Sequence, residues 1–313
     1  MWTPGQIGAW IEPCAGSAAV GLRLLGTRPP VAYVGGKTAF ADTILTTLGT
    51  YPGAGCQRLG LVDPGWWGRA WPTLRHPGLR GNVVLRLREW LEWDEAALWA
   101  WLKREGPPVG DANYTAAALV LSLWSYERGA RLWAPGWETC WYGGYVRERR
   151  PSLQSLIRRV EDLDRSAFAT CFFRGGQGGA ERIEPGTVFA EQLRDRLYGA
   201  RVVVYLDPPY AGTTGYSHEL PREDTVGLAL DWHETGANVA VSETEPVEAL
   251  VAQGWRAVEL HAPSETRRSL GAWGKGGENR NPETGTTTEW LTLSPASGQD
   301  DKHSPGPPSV PGR

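Results

Sequence analysis

The most regular hydrophobic pattern in the chain is a run of apolar, mostly β-branched residues at 202–206, closed abruptly by Asp207-Pro208-Pro209-Tyr210. A segment apolar at every position predicts a strand buried on both faces. Shorter runs of the same kind predict strands at 9–13, 58–62, 82–87, 237–241, 255–261 and 289–293. Between them, helical periodicity and end signals predict helices at 18–25, from the turn at 31–37 through Leu48, and at 94–104, 111–128, 152–163, 222–235 and 246–253. Asp94 and Asp111 read as N-caps, and Gly106 and Gly129 as stops. Strand–helix alternation of this kind builds an α/β fold, a mostly parallel sheet with helices on both faces.

The strand ends carry the chemistry. Glu12 ends the first strand, Asp63 the second and Asp207 the central one. Open α/β sheets place ligands at the carboxyl ends of their strands, although Asp-Pro-Pro-Tyr also reads as a plain strand-ending turn. Cys14-Ala15-Gly16-Ser17 is a small-residue turn between strand and helix, a setting in which backbone N–H groups can approach a nucleotide-like group. Trp66 and Trp67 follow Asp63, where an indole either lies against an adenine ring or packs the next helix.

Composition changes between residues 130 and 179, where Trp, Tyr, Gly and Arg dominate. Alternating basic and aromatic residues, as around Arg147, Arg149 and Arg150, suit a surface that grips phosphates and stacks on bases. An irregular insert held together by Trp packing gives the same composition. A long Gly-rich connection carries Arg267, Arg268, Lys275 and Arg280, and long structureless connections are commonly functional. The formal charge of −3 places any nucleic-acid surface in local patches. Four scattered cysteines without CxxC spacing argue against a disulfide framework and a zinc site, so no metal is expected, and they suit a reducing cytoplasm. Neither a long apolar span nor a signal-peptide pattern is present, so no membrane partner is expected.

Glu12-Pro13-Cys14-Ala15-Gly16-Ser17-Ala18, Gly35-Gly36-Lys37, Asp207-Pro208-Pro209-Tyr210 and the stretch 264–269 together resemble the Dam-type (D12 class) DNA adenine-N6 methyltransferases. The resemblance spans about residues 11–293. Gly-Gly-Lys follows the first strand here, whereas in that family it precedes it. Cys14 stands at an aromatic position, Ala18 at a glycine, and the family's Asn-rich segment is missing from the insert.

The resemblance implies a Rossmann-like S-adenosylmethionine-dependent methyltransferase fold with a mostly parallel seven-stranded sheet. Residues 1–93 and 180–294 would form the catalytic domain, 94–179 an inserted target-recognition region and 295–313 a disordered tail. It implies cofactor contacts at Glu12, Pro13, Cys14, Gly16, Ser17, Tyr33, Gly35, Gly36, Lys37, Asp63 and Glu191. Asp207, Pro208, Pro209 and Tyr210 would be catalytic, and Arg147, Arg149, Arg150, Arg267, Arg268 and Lys275 would contact DNA. The expected partner is duplex DNA with its target base flipped out, together with a possible restriction endonuclease. The expected setting is the cytoplasm, for a bacterial or phage-encoded protein that is a monomer or weak dimer.

Chemically, an exocyclic amine is a poor nucleophile because its lone pair is delocalised into the ring. Asp207 and the Pro208 carbonyl could each accept one N–H and so aim that lone pair, while Tyr210 stacks on the base. The same turn could hold the N4 amine of cytosine or an RNA base, and an inactive DNA-binding relative is a further alternative. No hydride- or phosphoryl-transfer motif competes: Gly35-Gly36-Lys37-Thr38 ends like a phosphate loop but lacks its earlier glycine.

Overall fold

The structure is a computed structural model, and it describes residues 7–31, 36–63, 65–124, 132–133, 152–163, 171–175, 201–210, 220–261 and 288–296. Strands β1 (Ile7–Glu12), β2 (Arg58–Asp63), β3 (Cys171–Gly175), β4 (Arg201–Leu206), β5 (Asn238–Glu243), β6 (Arg256–His261) and β7 (Thr288–Leu293) form one sheet. Its order is β3-β2-β1-β4-β5-β7-β6. The pairings from β3 across to β5 are parallel, and β7 runs antiparallel to both β5 and β6. The protein is therefore α/β with a mixed, mostly parallel sheet.

Alternate residues of the central strands face two different cores, the two-residue period that a sheet imposes. Trp10, Val203, Tyr205 and Ala240 face one side. Ile11, Val204, Leu206 and Val241 face the other. The first core is covered by α1 (Ala19–Leu24), α2 (Ala41–Thr47) and α3 (Trp66–Arg75). Behind these lie α4 (Pro77–Glu89), α5 (Glu95–Glu105), α6 (Asp111–Trp124) and α7 (Leu153–Asp162). The second core is covered by α8 (Arg222–Glu234) and the single turn α9 (Glu248–Val251). Helix α6 is buried at every position from Thr115 to Trp124, as befits a helix enclosed by α3, α4 and α5.

Three expectations are corrected. Residues 82–87 lie within α4, not a strand. Pro77 occupies its first turn, and the His76 ring accepts a hydrogen bond from the Leu79 N–H at 3.3 Å. Val83, Val84 and Leu87 then bury one face, so packing outweighs the strand preference of the two valines. The sheet's outer strand is instead β3, which lies inside the expected insert and pairs with β2. Helices α5 to α7 also bury Leu98, Leu102, Leu156 and Ile157 in the first core, so this part of 94–179 belongs to the main body. Finally, Asp94 caps α5 by accepting from the Ala97 N–H at 2.9 Å, but Asp111 is the first residue of α6 and pairs with Arg69 at 2.9 Å. Residues 297–313 of the expected tail lie outside the described residues.

Candidate active site

Strand order reverses at β1, which has β2 on one side and β4 on the other. The helices that follow β1 and β4, α1 and α8, cover opposite faces of the sheet, which leaves a crevice at the carboxyl ends of the two strands, the usual ligand position in such sheets. Glu12 and Asp207 flank it.

On the β1 side the turn 13–18 is fixed by backbone and side-chain bonds. The Ala15 N–H donates to the Val62 carbonyl at 2.9 Å and ties the turn to β2. Gly16 has φ of 46°, a conformation that glycine adopts freely. Its N–H donates to Asp63 Oδ2 at 2.9 Å, while the Gly65 N–H donates to Oδ1 at 2.8 Å. The Trp71 indole N–H donates to the Gly16 carbonyl at 2.9 Å. Ala18 keeps a left-handed φ of 51° despite its Cβ and stands at the N-cap of α1.

Glu12 is buried, and its Oε1 accepts from Trp10 Nε1 at 2.8 Å and from the Gly21 N–H at 2.6 Å. Burial pushes its carboxyl up to about 8, with the nearby Asp207 charge adding to the effect of burial. A Cβ on Gly21 would stand 2.8 Å from that oxygen, so the glycine makes room for the carboxylate. Ser17 is buried as well, and burial followed by the charges of Asp63 and Asp207 pushes the Cys14 thiol upward. Trp66, Trp67 and Trp71 are buried and stacked, with centroid separations of 4.1 and 4.8 Å. Of the two readings for Trp66 and Trp67, the packing of α3 is the one observed.

On the β4 side, Asp207, Pro208, Pro209 and Tyr210 leave the sheet together, with Pro208 buried and the other three half-buried. Lys37 lies in a single 3-10 turn capped by Gly36, and its side chain is 5% exposed. Its ammonium is 2.7 Å from Asp207 Oδ1 and 3.8 Å from Glu289 Oε2. It also donates to the Tyr210 phenol oxygen and sits 4.5 Å from the centroid of that ring. The phenol in turn donates to Glu289 Oε1 at 2.7 Å, and the Ser242 hydroxyl donates to the same oxygen at 2.7 Å.

Burial would lower the Lys37 ammonium, but the carboxylates of Asp207 and Glu289 outweigh it and hold the group above its ordinary value. Asp207 is pushed up to about 6 by burial, against the pull of Lys37. Glu243, at the end of β5, is pushed up to about 7 by burial, against the pull of Arg222, whose guanidinium lies 3.7 Å away.

Lys37, expected at the cofactor, thus meets the Asp-Pro-Pro-Tyr turn directly. Glu12, Pro13, Cys14, Gly16, Ser17 and Asp63 gather around the β1 turn. Tyr33, Gly35, Arg147, Arg149, Arg150, Glu191, Arg267, Arg268 and Lys275 lie outside the described residues. Sequence reasoning passed over Ser242, Glu243 and Glu289. The signal for Glu289 was a lone carboxylate opening the otherwise apolar run into β7.

Among the described residues no group of His, Cys, Asp and Glu is arranged to hold a metal, and no helix is long and apolar enough to cross a membrane. In comparisons with known proteins, the chain matches no protein-family model and no curated protein.

Proposed function

We propose that the protein is an S-adenosylmethionine-dependent methyltransferase acting on an exocyclic amine, the N6 of adenine in DNA, with the Rossmann-like architecture of that class. The observation that carries this reading is the Asp207-Pro208 turn. Its carboxylate is held by Lys37, and it faces the Glu12 and Gly16 turn across the strand-order reversal.

The residues of the β1 turn fit such a cofactor. Glu12 is a buried carboxyl group suited to a cationic amino-acid group, and Asp63 is an acidic end of β2 suited to ribose hydroxyls. Burial raises three carboxyl groups at the strand ends, Glu12, Asp207 and Glu243, into the range of about 6 to 8, so a ligand that brings positive charge there would favour their ionised forms. When bound, S-adenosylmethionine supplies an electrophilic methyl group on a sulfonium.

Asp207 accepts one N–H of the amine and the Pro208 carbonyl the other, which turns the nitrogen out of conjugation and aims its lone pair. Ionised Asp207 also stabilises the positive charge that develops on nitrogen. It then receives the surplus amine proton and releases it to water, a task suited to a carboxyl group near 6. Tyr210 supplies an aromatic platform for the base. A base inside a duplex cannot reach this turn, so the target is flipped out, with Arg147, Arg149, Arg150, Arg267, Arg268 and Lys275 as the proposed DNA contacts.

The test is incubation with methyl-labelled cofactor and DNA whose only amine-bearing base is adenine or cytosine, alongside RNA, followed by nucleoside analysis. N6-methyladenine from DNA alone is expected, with none from Asp207→Ala although that variant still binds cofactor. Label in cytosine or RNA would reassign the acceptor, and label in none of them would overturn the reading.

A further inference from the structure

Glu289 is buried, 4% exposed, and lies on the reversed strand β7, far along the chain from the other members of the site. A carboxylate in such a place is retained only where its oxygens are satisfied. Here one oxygen accepts from the hydroxyl oxygens of Tyr210 and Ser242 at 2.7 Å each, and the other faces the Lys37 ammonium at 3.8 Å. Lys37 in turn touches both Asp207 and Tyr210. The amine clamp therefore has a foundation of its own, built on the side of β4 away from β1.

We propose that Glu289 is a positioning residue for the acceptor site: it anchors the Tyr210 phenol and faces the Lys37 ammonium, so that aromatic platform and carboxylate are set before an acceptor arrives. The inference rests on reading Asp207-Pro208-Pro209-Tyr210 as an amine clamp. Pre-set groups of this kind lower the reorganisation needed on binding. Glu289 does not need to touch the acceptor for this role.

Its charge and its hydrogen bonds can be separated. A glutamine carbonyl still accepts from Tyr210 and Ser242 but removes the anion facing Lys37, whereas alanine removes both. The groups that act electrostatically on Asp207 are Lys37 and Glu289, with Glu12, Cys14, Tyr205 and Glu243 around them. The Glu289 anion opposes ionisation of Asp207, so its neutralisation moves the acid limb of the rate profile to lower pH.

The expected result for Glu289→Ala is a loss of kcat of roughly tenfold or more, with cofactor affinity changed less than about twofold. Glu289→Gln should recover much of kcat and display the shifted acid limb. An acid limb unchanged in Glu289→Gln, or full kcat in Glu289→Ala, would overturn the proposal.

A second readout needs no turnover. Protein carrying ring-labelled tyrosine has 10 tyrosines, and the Tyr210 signal is assigned by its loss in Tyr210→Phe. That signal should move or broaden in Glu289→Ala and stay close to native in Glu289→Gln. A Tyr210 signal identical in Glu289→Ala and native protein would also overturn the proposal. If the native protein methylates nothing while the Tyr210 signal responds as expected, the functional reading fails and the anchoring role stands.

Discussion

Replacing Lys37 by methionine leaves the half-buried Asp207 carboxylate without the ammonium 2.7 Å away. Breaking a buried ion pair by removing one partner costs about 3–5 kcal/mol. In this site part of that cost depends on pH. In the native protein Asp207 is raised to about 6, above the unfolded value of about 3.9. An acid raised on folding binds its proton more tightly in the folded state, so its contribution to stability falls as pH climbs from the unfolded value to the folded one.

With Lys37 present the fall ends near 6, because Lys37 favours the ionised form. Without Lys37 the folded value rises further, and the fall continues at about 1.4 kcal/mol per pH unit. Between pH 6 and pH 7.5 the gap between native protein and Lys37→Met should therefore widen by about 2 kcal/mol. Urea unfolding of both proteins at pH 5.5, 6.5 and 7.5 measures it, with a growing separation of midpoints at unchanged slope. The widening should vanish when Asp207→Asn is added. A gap of constant size across these pH values would refute the pairing as the reason Asp207 is ionised at neutral pH.

Cofactor binding should release a proton below about pH 8, because Glu12 must ionise to meet a cation. Calorimetry in buffers of different protonation enthalpy should show affinity rising with pH up to about 8 and levelling above it, with the dependence lost in Glu12→Gln. Gly21→Ala places a Cβ 2.8 Å from Glu12 Oε1 and 2.9 Å from Leu59 Cδ1, an overpacking that should cost about 1–3 kcal/mol in thermal unfolding and weaken cofactor binding. The raised Cys14 thiol should stay protonated at pH 8, so mass spectrometry should find it alkylated by iodoacetamide more slowly in folded than in urea-unfolded protein.

The strands that carry the crevice were legible because each is a short apolar run ending in an acid: Glu12, Asp63 and Asp207. Both faces of these strands are buried, so the pattern is continuous and needs no knowledge of the rest of the fold. Val83-Val84 misled for the opposite reason, since a β-branched pair reads as strand until the helix it packs in is known. Strand β3 was hidden as five residues, Cys171–Gly175, inside a region whose composition looked uniform. At the site, the acidic and proline signals marked the Asp207–Tyr210 turn, but its supports could not be read. Lys37 and its partner Tyr210 are 173 positions apart, and nothing local to Ser242 or Glu289 marks them as neighbours.

The site draws its parts from positions far apart in the sequence, from Lys37 to Glu289 on β7. During synthesis every recognisable motif therefore leaves the ribosome before the site can close. A nascent or truncated chain that stops short of β7 carries Asp207 and Tyr210 without the carboxylate that accepts from the Tyr210 phenol, so it holds the Asp-Pro-Pro-Tyr signature and lacks its support. Contacts of such long separation also slow folding. Among the described strands, β7 is thus the one whose arrival completes the network around Tyr210 and Lys37.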